Sequence, residues 1–406
     1  MKLYPNLVKA IAEAIEQIFI EGVYADVAVE RTLKKDARWG ARDRRFIASY
    51  IYDIVRWYRL YKACLTEEQQ ATNLYYSLFA VAHLVKGFEL PTWAEFANTD
   101  SDYVRNALVS NSKIHKLKAS IPDWLDELGE EQFGAKVWAT EMEFLNKEAE
   151  VFIRVNNLKS SAIKLPTELT KEGIEIIKVE GAIFKSNDNE TPLKIVKRQR
   201  LQQLQSYKDG LFEIQDAASQ LVAPYLQLKP GMKVIDACAG AGGKTLHIAC
   251  IMQNKGSILA MDIEAKKLEE LERRALKAGV RIVTTKVATK QEVLKNKETA
   301  DRLLLDVPCS GLGVLRRNPD AKWKLNLEFI KEVQQTQANI LSDYSTMLKP
   351  GGIMVYATCS ILPIENQIQV QYFLNQQQGK FELIAEQSIM PSQGFDGFYM
   401  ASLKKI

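Results

Sequence analysis

From about Gln215 onward the chain alternates short apolar runs with longer amphipathic ones, and this alternation limits the fold more than any other feature. Val234-Ile235 opens a first strand and Lys244–Gln253 a helix. Ile258–Met261 reads as a second strand, Ala265–Lys277 as a charged surface helix, and Ile282–Thr285 as a third strand. Arg302–Leu305 and Gly352–Tyr356 read as two buried parallel strands, separated by a helix through Phe329–Met347. Leu348-Lys349-Pro350-Gly351-Gly352 is the expected stop between that helix and its strand. Phe381–Ala385 and Phe398–Leu403 are placed to form a closing pair. The expectation is an α/β domain over residues 215–406, a parallel sheet with helices on both faces.

The preceding segments have other textures. Residues 1–145 read as helices. Leu7, Ile11, Ile15 and Ile18 recur at helical spacing before a stop at Gly22, a second stripe runs from Ile47 to Tyr58, and a third lies between Leu74 and Val85. Residues 146–214 read as a small α+β module, with strands at Val151–Val155 and Ile174–Val179 and a loop at Asn187-Asp188-Asn189.

Composition excludes several classes. With 406 residues, 47% of them hydrophobic, the chain buries a core without disulfide staples. Its five cysteines form no CxxC and no Cys/His cluster, which argues against a disulfide framework or a zinc site and fits a reducing cytoplasm. The N-terminus leads into an amphipathic helix rather than a signal segment, and no apolar run is long enough to span a membrane. Net charge is only +4. Local basic clusters say more: Lys34, Lys35, Arg38, Arg42, Arg44 and Arg45, then Lys194, Lys197, Arg198 and Arg200, then Arg316-Arg317. Each reads either as a phosphate-facing patch or as a solvated face.

In an open parallel sheet, ligands sit beyond the carboxyl ends of the strands. Asp306-Val307-Pro308-Cys309 and Ala357-Thr358-Cys359-Ser360 both fall there, so two thiols distant in sequence can face one pocket. One can attack a ring carbon while the other works on release, which points to covalent chemistry on a pyrimidine. A free thiol is only about 3% ionised at pH 7, so the nucleophile needs local help, with helix N-termini and Lys244 as candidates. Cys64 and Cys250 lie in apolar helical stripes and read as packing.

The glycine loop Asp236-Ala237-Cys238-Ala239-Gly240-Ala241-Gly242-Gly243-Lys244-Thr245 joins the first strand to its helix. A phosphate loop requires glycine where Cys238 stands, and a dinucleotide fingerprint requires it where Thr245 stands. A nucleoside cofactor such as S-adenosylmethionine remains. It predicts an acid at the end of the second strand for the ribose hydroxyls, and Asp262 is there. A helix-cap role for Asp262 is the alternative.

Together, Asp236–Lys244, Asp306-Val-Pro-Cys309-Ser-Gly, Arg316-Arg317-Asn-Pro-Asp320 with Trp323, and Tyr356-Ala-Thr-Cys359-Ser with Pro363 and Glu365-Asn366 resemble the RsmB/NOP/Sun family of RNA 5-methylcytosine methyltransferases. Gln215-Asp216 and Arg154-Val155-Asn156 look like further landmarks of that family, and the match runs from about Val151 to the end. The helical segment, with Arg42-Asp43-Arg44-Arg45-Phe46, resembles the NusB-like RNA-binding domain of the bacterial branch.

The resemblance implies a Rossmann-like class I methyltransferase domain behind an all-helical domain and a small RRM-like module. It implies S-adenosylmethionine held by Cys238, Ala239, Gly240, Ala241, Gly242, Gly243, Lys244, Asp262 and Asp306. It makes Cys359 the nucleophile toward cytosine C6, Cys309 the residue that assists proton removal or release, and Asp306 the holder of the cytosine edge. Arg316 and Arg317 become candidate RNA contacts. The implied protein is a cytoplasmic monomer acting on RNA, ribosomal RNA first, with transfer RNA as an alternative. A second alternative is a ribosome-assembly factor with a vestigial site. Two departures stand out. Gly240-Ala241 replaces the family's Ala-Pro. Val287-Ala288-Thr289 lacks the Asp usual near the adenine, a loss worth about 0.5–1.5 kcal/mol if it removes one hydrogen bond.

Overall fold

The computed structural model describes residues 3–179, 181, 183–184 and 191–406; the Asn187-Asp188-Asn189 loop lies outside them. The chain forms two units. One comprises residues 1–148 with 315–327, the other residues 149–314 with 328–406.

The first unit is helical, with no strand among its described residues. Helix Pro5–Phe19 starts on a proline, whose missing N–H costs nothing at a helix start, and buries Leu7, Val8, Ile11, Ile15 and Ile18. Helix Ala41–Arg56 buries Phe46, Ile47, Tyr50, Ile51, Ile54 and Val55 against it. Helix Leu74–Val85 is buried from Ser77 through Leu84, as expected of a central helix without a polar face.

Residues 315–327 complete this unit by capping two of its helices. The Val55 and Arg56 carbonyls, at the end of helix Ala41–Arg56, accept from Trp323 Nε1 at 2.7 Å and Lys322 Nζ at 2.8 Å. The Ala25 N–H, first in helix Ala25–Lys34, donates to Asp320 Oδ2 at 3.0 Å. Helix ends leave such groups without intrahelical partners, so a remote segment that satisfies them is part of the fold. The first basic cluster is also largely structural. Arg44 donates to the Leu33 and Trp39 carbonyls, and Lys34, Lys35 and Arg38 pair with Glu30, Glu13 and Asp36.

The second unit holds two sheets. Strands β1 (Val151–Val155), β2 (Ile176–Lys178), β3 (Leu193–Ile195) and β4 (Phe212–Ile214) form an antiparallel sheet of order β2-β3-β1-β4. Strands β5 (Lys233–Asp236), β6 (Ser257–Asp262), β7 (Val283–Val287), β8 (Ala300–Asp306), β9 (Leu348–Thr358), β10 (Phe381–Ile389) and β11 (Phe398–Lys405) form a mixed sheet. Its order is β10-β11-β9-β8-β5-β6-β7: five parallel strands, closed on one side by the expected antiparallel pair β10–β11. Adjacent residues go to opposite faces. Val234, Leu304 and Val355 pack with helices Gly243–Ile251 and Ala265–Ala278, while Ile235, Leu303, Leu305, Met354 and Tyr356 pack with Leu341, Val370 and Phe373.

One boundary differs from expectation. Leu348–Gly352 is not a stop before the strand but its irregular first part: Leu348 pairs with Ala300, and the register then jumps to Ile353 opposite Arg302. Gly351, at φ +75°, supplies the left-handed turn that this slip needs. The residues around β1 fasten the small sheet to the large one. Asn156 Nδ2 donates to the Gly210 and Ala278 carbonyls, and Arg154 Nε donates to Gln215 Oε1 at 2.7 Å.

Candidate active site

Three parallel strands end on aspartates: Asp236 on β5, Asp262 on β6 and Asp306 on β8. Their surroundings give them different work. Asp236 is buried and accepts from the Thr245 hydroxyl at 2.7 Å, and burial pushes its carboxyl up to about 7. It supports the glycine loop from beneath. Asp262 accepts Gly240 N–H on Oδ2 and Glu264 N–H on Oδ1, both at 2.9 Å. Its cap-like bond to Glu264 therefore coexists with a hold on the glycine loop, and each oxygen keeps a lone pair for a further donor. Asp306 pairs with Lys244 Nζ at 2.6 Å.

Gly240, at φ +52°, sits in the left-handed region, where a side chain is strained. Gly242, at φ +88°, abuts Leu271, and a Cβ there would lie 2.6 Å from its Cγ. At Gly240 and Gly243 a Cβ would meet nothing within 4 Å, so this side of the loop is an open cradle at a helix N-terminus. With the Asp262 carboxylate beside it, the cradle fits a nucleoside cofactor. At the end of β7, Val287 is partly exposed, Ala288 N–H is taken by the Asp262 carbonyl, and Thr289 caps helix Lys290–Lys295. No carboxylate stands there.

The two thiols meet. Cys309 follows β8, Cys359 follows β9, and their sulfurs lie 3.1 Å apart, both free and partly exposed. The hydrogen bond to Cys359, then burial, then the negative charge of Glu365, hold the Cys309 thiol well above its ordinary range. At this separation either sulfur can donate to the other. The expected help from helix N-termini is not realised. Each thiol is followed by a single 3-10 turn, Leu312–Val314 and Pro363–Glu365, too short for an appreciable dipole, and the Lys244 charge goes to Asp306. The other cysteines pack: burial raises Cys238 and Cys64, and Cys250 Sγ contacts Asn156 Oδ1 at 3.2 Å.

Backbone closes on backbone around the thiols. Gly313 N–H donates to the Cys359 carbonyl at 2.9 Å, and a Cβ on Gly313 would lie 2.7 Å from that oxygen and 2.1 Å from Gly397 O. Glu365, fully buried, lies beneath both cysteine loops. Arg316 is buried, with its carbonyl accepting from Arg56, and Arg317 is half-buried; both belong to the helical unit. Sequence reasoning assigned no role to Asp236, Gly313 or Glu365. The signal that could have found the last is its place in the same short motif as Cys359.

The chain is similar to known methyltransferases. The family described as 16S rRNA methyltransferase RsmB/F matches residues 223–404. A probable ribosomal RNA small subunit methyltransferase B of Synechocystis is 29% identical, over 94% of this chain and 95% of its own. The ribosomal RNA small subunit methyltransferase B of Yersinia enterocolitica is 32% identical, over 76% of this chain and 68% of its own. Among solved structures, the crystal structure of PH0851 superposes with a TM-score of 0.82 at 25% identity, over the whole of both chains.

Proposed function

The chain belongs to the RsmB/F family of ribosomal RNA small subunit methyltransferases, which use S-adenosylmethionine, and on that premise we propose that it methylates cytosine C5 in small-subunit ribosomal RNA through a covalent Cys359 adduct. The carrying observation is the pair of sulfurs 3.1 Å apart at the carboxyl edge of β8 and β9. S-adenosylmethionine supplies an electrophilic methyl group on a sulfonium. The glycine loop and Asp262 are assigned to hold it, the first by backbone N–H groups, the second through ribose hydroxyls.

Cytosine C5 is a weak nucleophile. Addition of the Cys359 thiolate to C6 breaks the C5–C6 double bond and moves its electron pair toward N3, so that C5 becomes enamine-like and takes the methyl group. Transfer of the C5 proton to a solvent base then re-forms the double bond and expels the Cys359 sulfur as a thiolate. Cys309, protonated and within hydrogen-bond reach, steadies that departing thiolate. Asp306, paired with Lys244, is assigned to the cytosine edge, and the base must be single-stranded or flipped to reach it. The NusB-like reading makes the helical unit an RNA-positioning element, with the cytoplasm as the place of action.

The test is transfer of labelled methyl from S-adenosylmethionine to unmodified small-subunit ribosomal RNA, with nucleosides resolved after digestion. Label in 5-methylcytidine is expected; label in another nucleoside refutes the assignment. Calorimetry with S-adenosylmethionine addresses the bare end of β7. Absence of binding at millimolar cofactor would favour an assembly factor with a vestigial site. Asp262→Asn should weaken cofactor binding about 10–100-fold, as loss of charge-assisted hydrogen bonds does, with a smaller effect on RNA affinity. Gly313→Ala should lower turnover by about 10–100-fold, because the added methyl displaces the Cys359 carbonyl, while cofactor affinity stays within two-fold.

A further inference from the structure

Glu365 is fully buried, and its carboxylate accepts from four donors. Oε2 accepts from Ser310 N–H at 2.8 Å and from Gln337 Nε2 at 3.0 Å. Oε1 accepts from the Ser310 hydroxyl and, at 2.6 Å, from the Ser360 hydroxyl. Ser310 directly follows Cys309, and Ser360 directly follows Cys359. One side chain thus holds the residue next to each thiol, although the loops are 50 residues apart in sequence.

The surrounding bonds stiffen this bridge. The Tyr356 hydroxyl donates to the Glu365 carbonyl at 2.6 Å, and Gln337 Nε2 also reaches the Pro308 carbonyl at 3.0 Å. Asn366 accepts from the Thr358 hydroxyl at 2.6 Å and donates to the Ser360 carbonyl at 3.0 Å. Each serine oxygen also accepts an N–H two residues on, from Leu312 and from Leu362. Burying a carboxylate is costly unless it is fully hydrogen-bonded. A nonpolar residue would pack here without that cost, but it could not tie two loops together.

We propose that Glu365 is the positioning residue that sets the distance between the two thiols, by tying the loop of Cys309 to the loop of Cys359 through a single buried carboxylate. The inference rests on the assignment of both thiols to the reaction, but its geometric part can be measured without turnover. Glu365→Gln keeps the shape but halves the acceptors: its carbonyl oxygen can take the Ser310 and Gln337 N–H groups, while its NH2 meets the two serine hydroxyls, which must then accept instead of donate. A misplacement of about 1 Å is enough to cost on the order of 100-fold in rate.

The direct readout is thiol proximity in the full chain. Diamide oxidises two neighbouring thiols to a disulfide: each sulfur loses a proton, the S–S bond forms, and the azo group takes up two electrons and two protons as a hydrazine. The rate of Cys309–Cys359 disulfide formation, followed by mass spectrometry, should fall about 10-fold or more in Glu365→Gln. Methyl-transfer kcat should fall with it, while KM for S-adenosylmethionine and its calorimetric affinity stay within two-fold. Ser310→Ala and Ser360→Ala each remove one anchor and leave the carboxylate, so smaller falls in both rates are expected even if Glu365→Gln folds poorly. Wild-type oxidation and turnover in all three variants would overturn the proposal. Slower oxidation in an enzyme whose Cys359→Ala variant still methylates would uphold the positioning role and refute the covalent mechanism, so the two failures are distinguishable.

Discussion

Replacing Cys359 by alanine should abolish methyl transfer, and replacing Cys309 should leave the protein covalently stuck to its RNA. The asymmetry follows from the site. Without a sulfur at 359, C5 has no route to activation, and loss of a nucleophile costs at least about 1,000-fold in rate. Without the thiol at 309, attack and methylation remain open, but the departing Cys359 sulfur loses the donor 3.1 Å away. With labelled S-adenosylmethionine and unmodified small-subunit ribosomal RNA, Cys309→Ala should give a labelled protein–RNA band on a denaturing gel. The Cys309→Ala/Cys359→Ala double variant should give none. An adduct that persists in the double variant, or one that forms in Cys359→Ala alone, would move the nucleophile elsewhere. The raised Cys309 thiol is consistent with a group that steadies a departing thiolate.

What was legible in the chain was what local pattern encodes. Short continuous apolar runs mark strands with two buried faces, and the ends of such strands mark the ligand edge, so the places of Asp262, Asp306, Cys309 and Cys359 are legible in the sequence. What was not legible depends on contacts that leave no periodic trace. Arg44 lies in a basic run that resembles a phosphate patch, yet its guanidinium serves two carbonyls of its own unit. Arg316 and Arg317 look like exposed arginines at a loop, yet their segment folds with the helical unit more than 150 residues upstream. The four donors on Glu365 come from three separate stretches of chain, and only the fold brings them together. The slip at Leu348–Gly352 was hidden for another reason: Pro and Gly signal a stop equally well whether the strand has begun or not.

The segment 315–327 leads to the second large effect. Lys322 is fully buried, its Nζ donating to the Arg56 carbonyl at 2.8 Å and to Asn146 Oδ1 at 3.2 Å, 5.2 Å from the Trp323 ring. Burial, and then the charge of Arg56, lower its pKa well below 10.5. Lys322→Ala should destabilise the helical unit by about 3 kcal/mol, through a stranded helix-end carbonyl and the lost packing of the side-chain stem. Lys322→Met, which keeps the stem, should cost less. The pH dependence separates charge from packing. Between the lowered folded pKa and 10.5, the unfolded chain holds a proton that folded Lys322 does not, so the Lys322 contribution to stability rises with pH across that window. Below the folded pKa both states are protonated and the contribution is flat at its minimum. The stability difference between wild type and Lys322→Met should therefore shift toward wild type as pH rises, read from hydrogen exchange of helix Ala41–Arg56 at neutral and alkaline pH. A difference independent of pH would mean that the ammonium pays no desolvation cost there. Equal protection in wild type and Lys322→Ala would mean that the cap on Arg56 is not part of what holds this unit together.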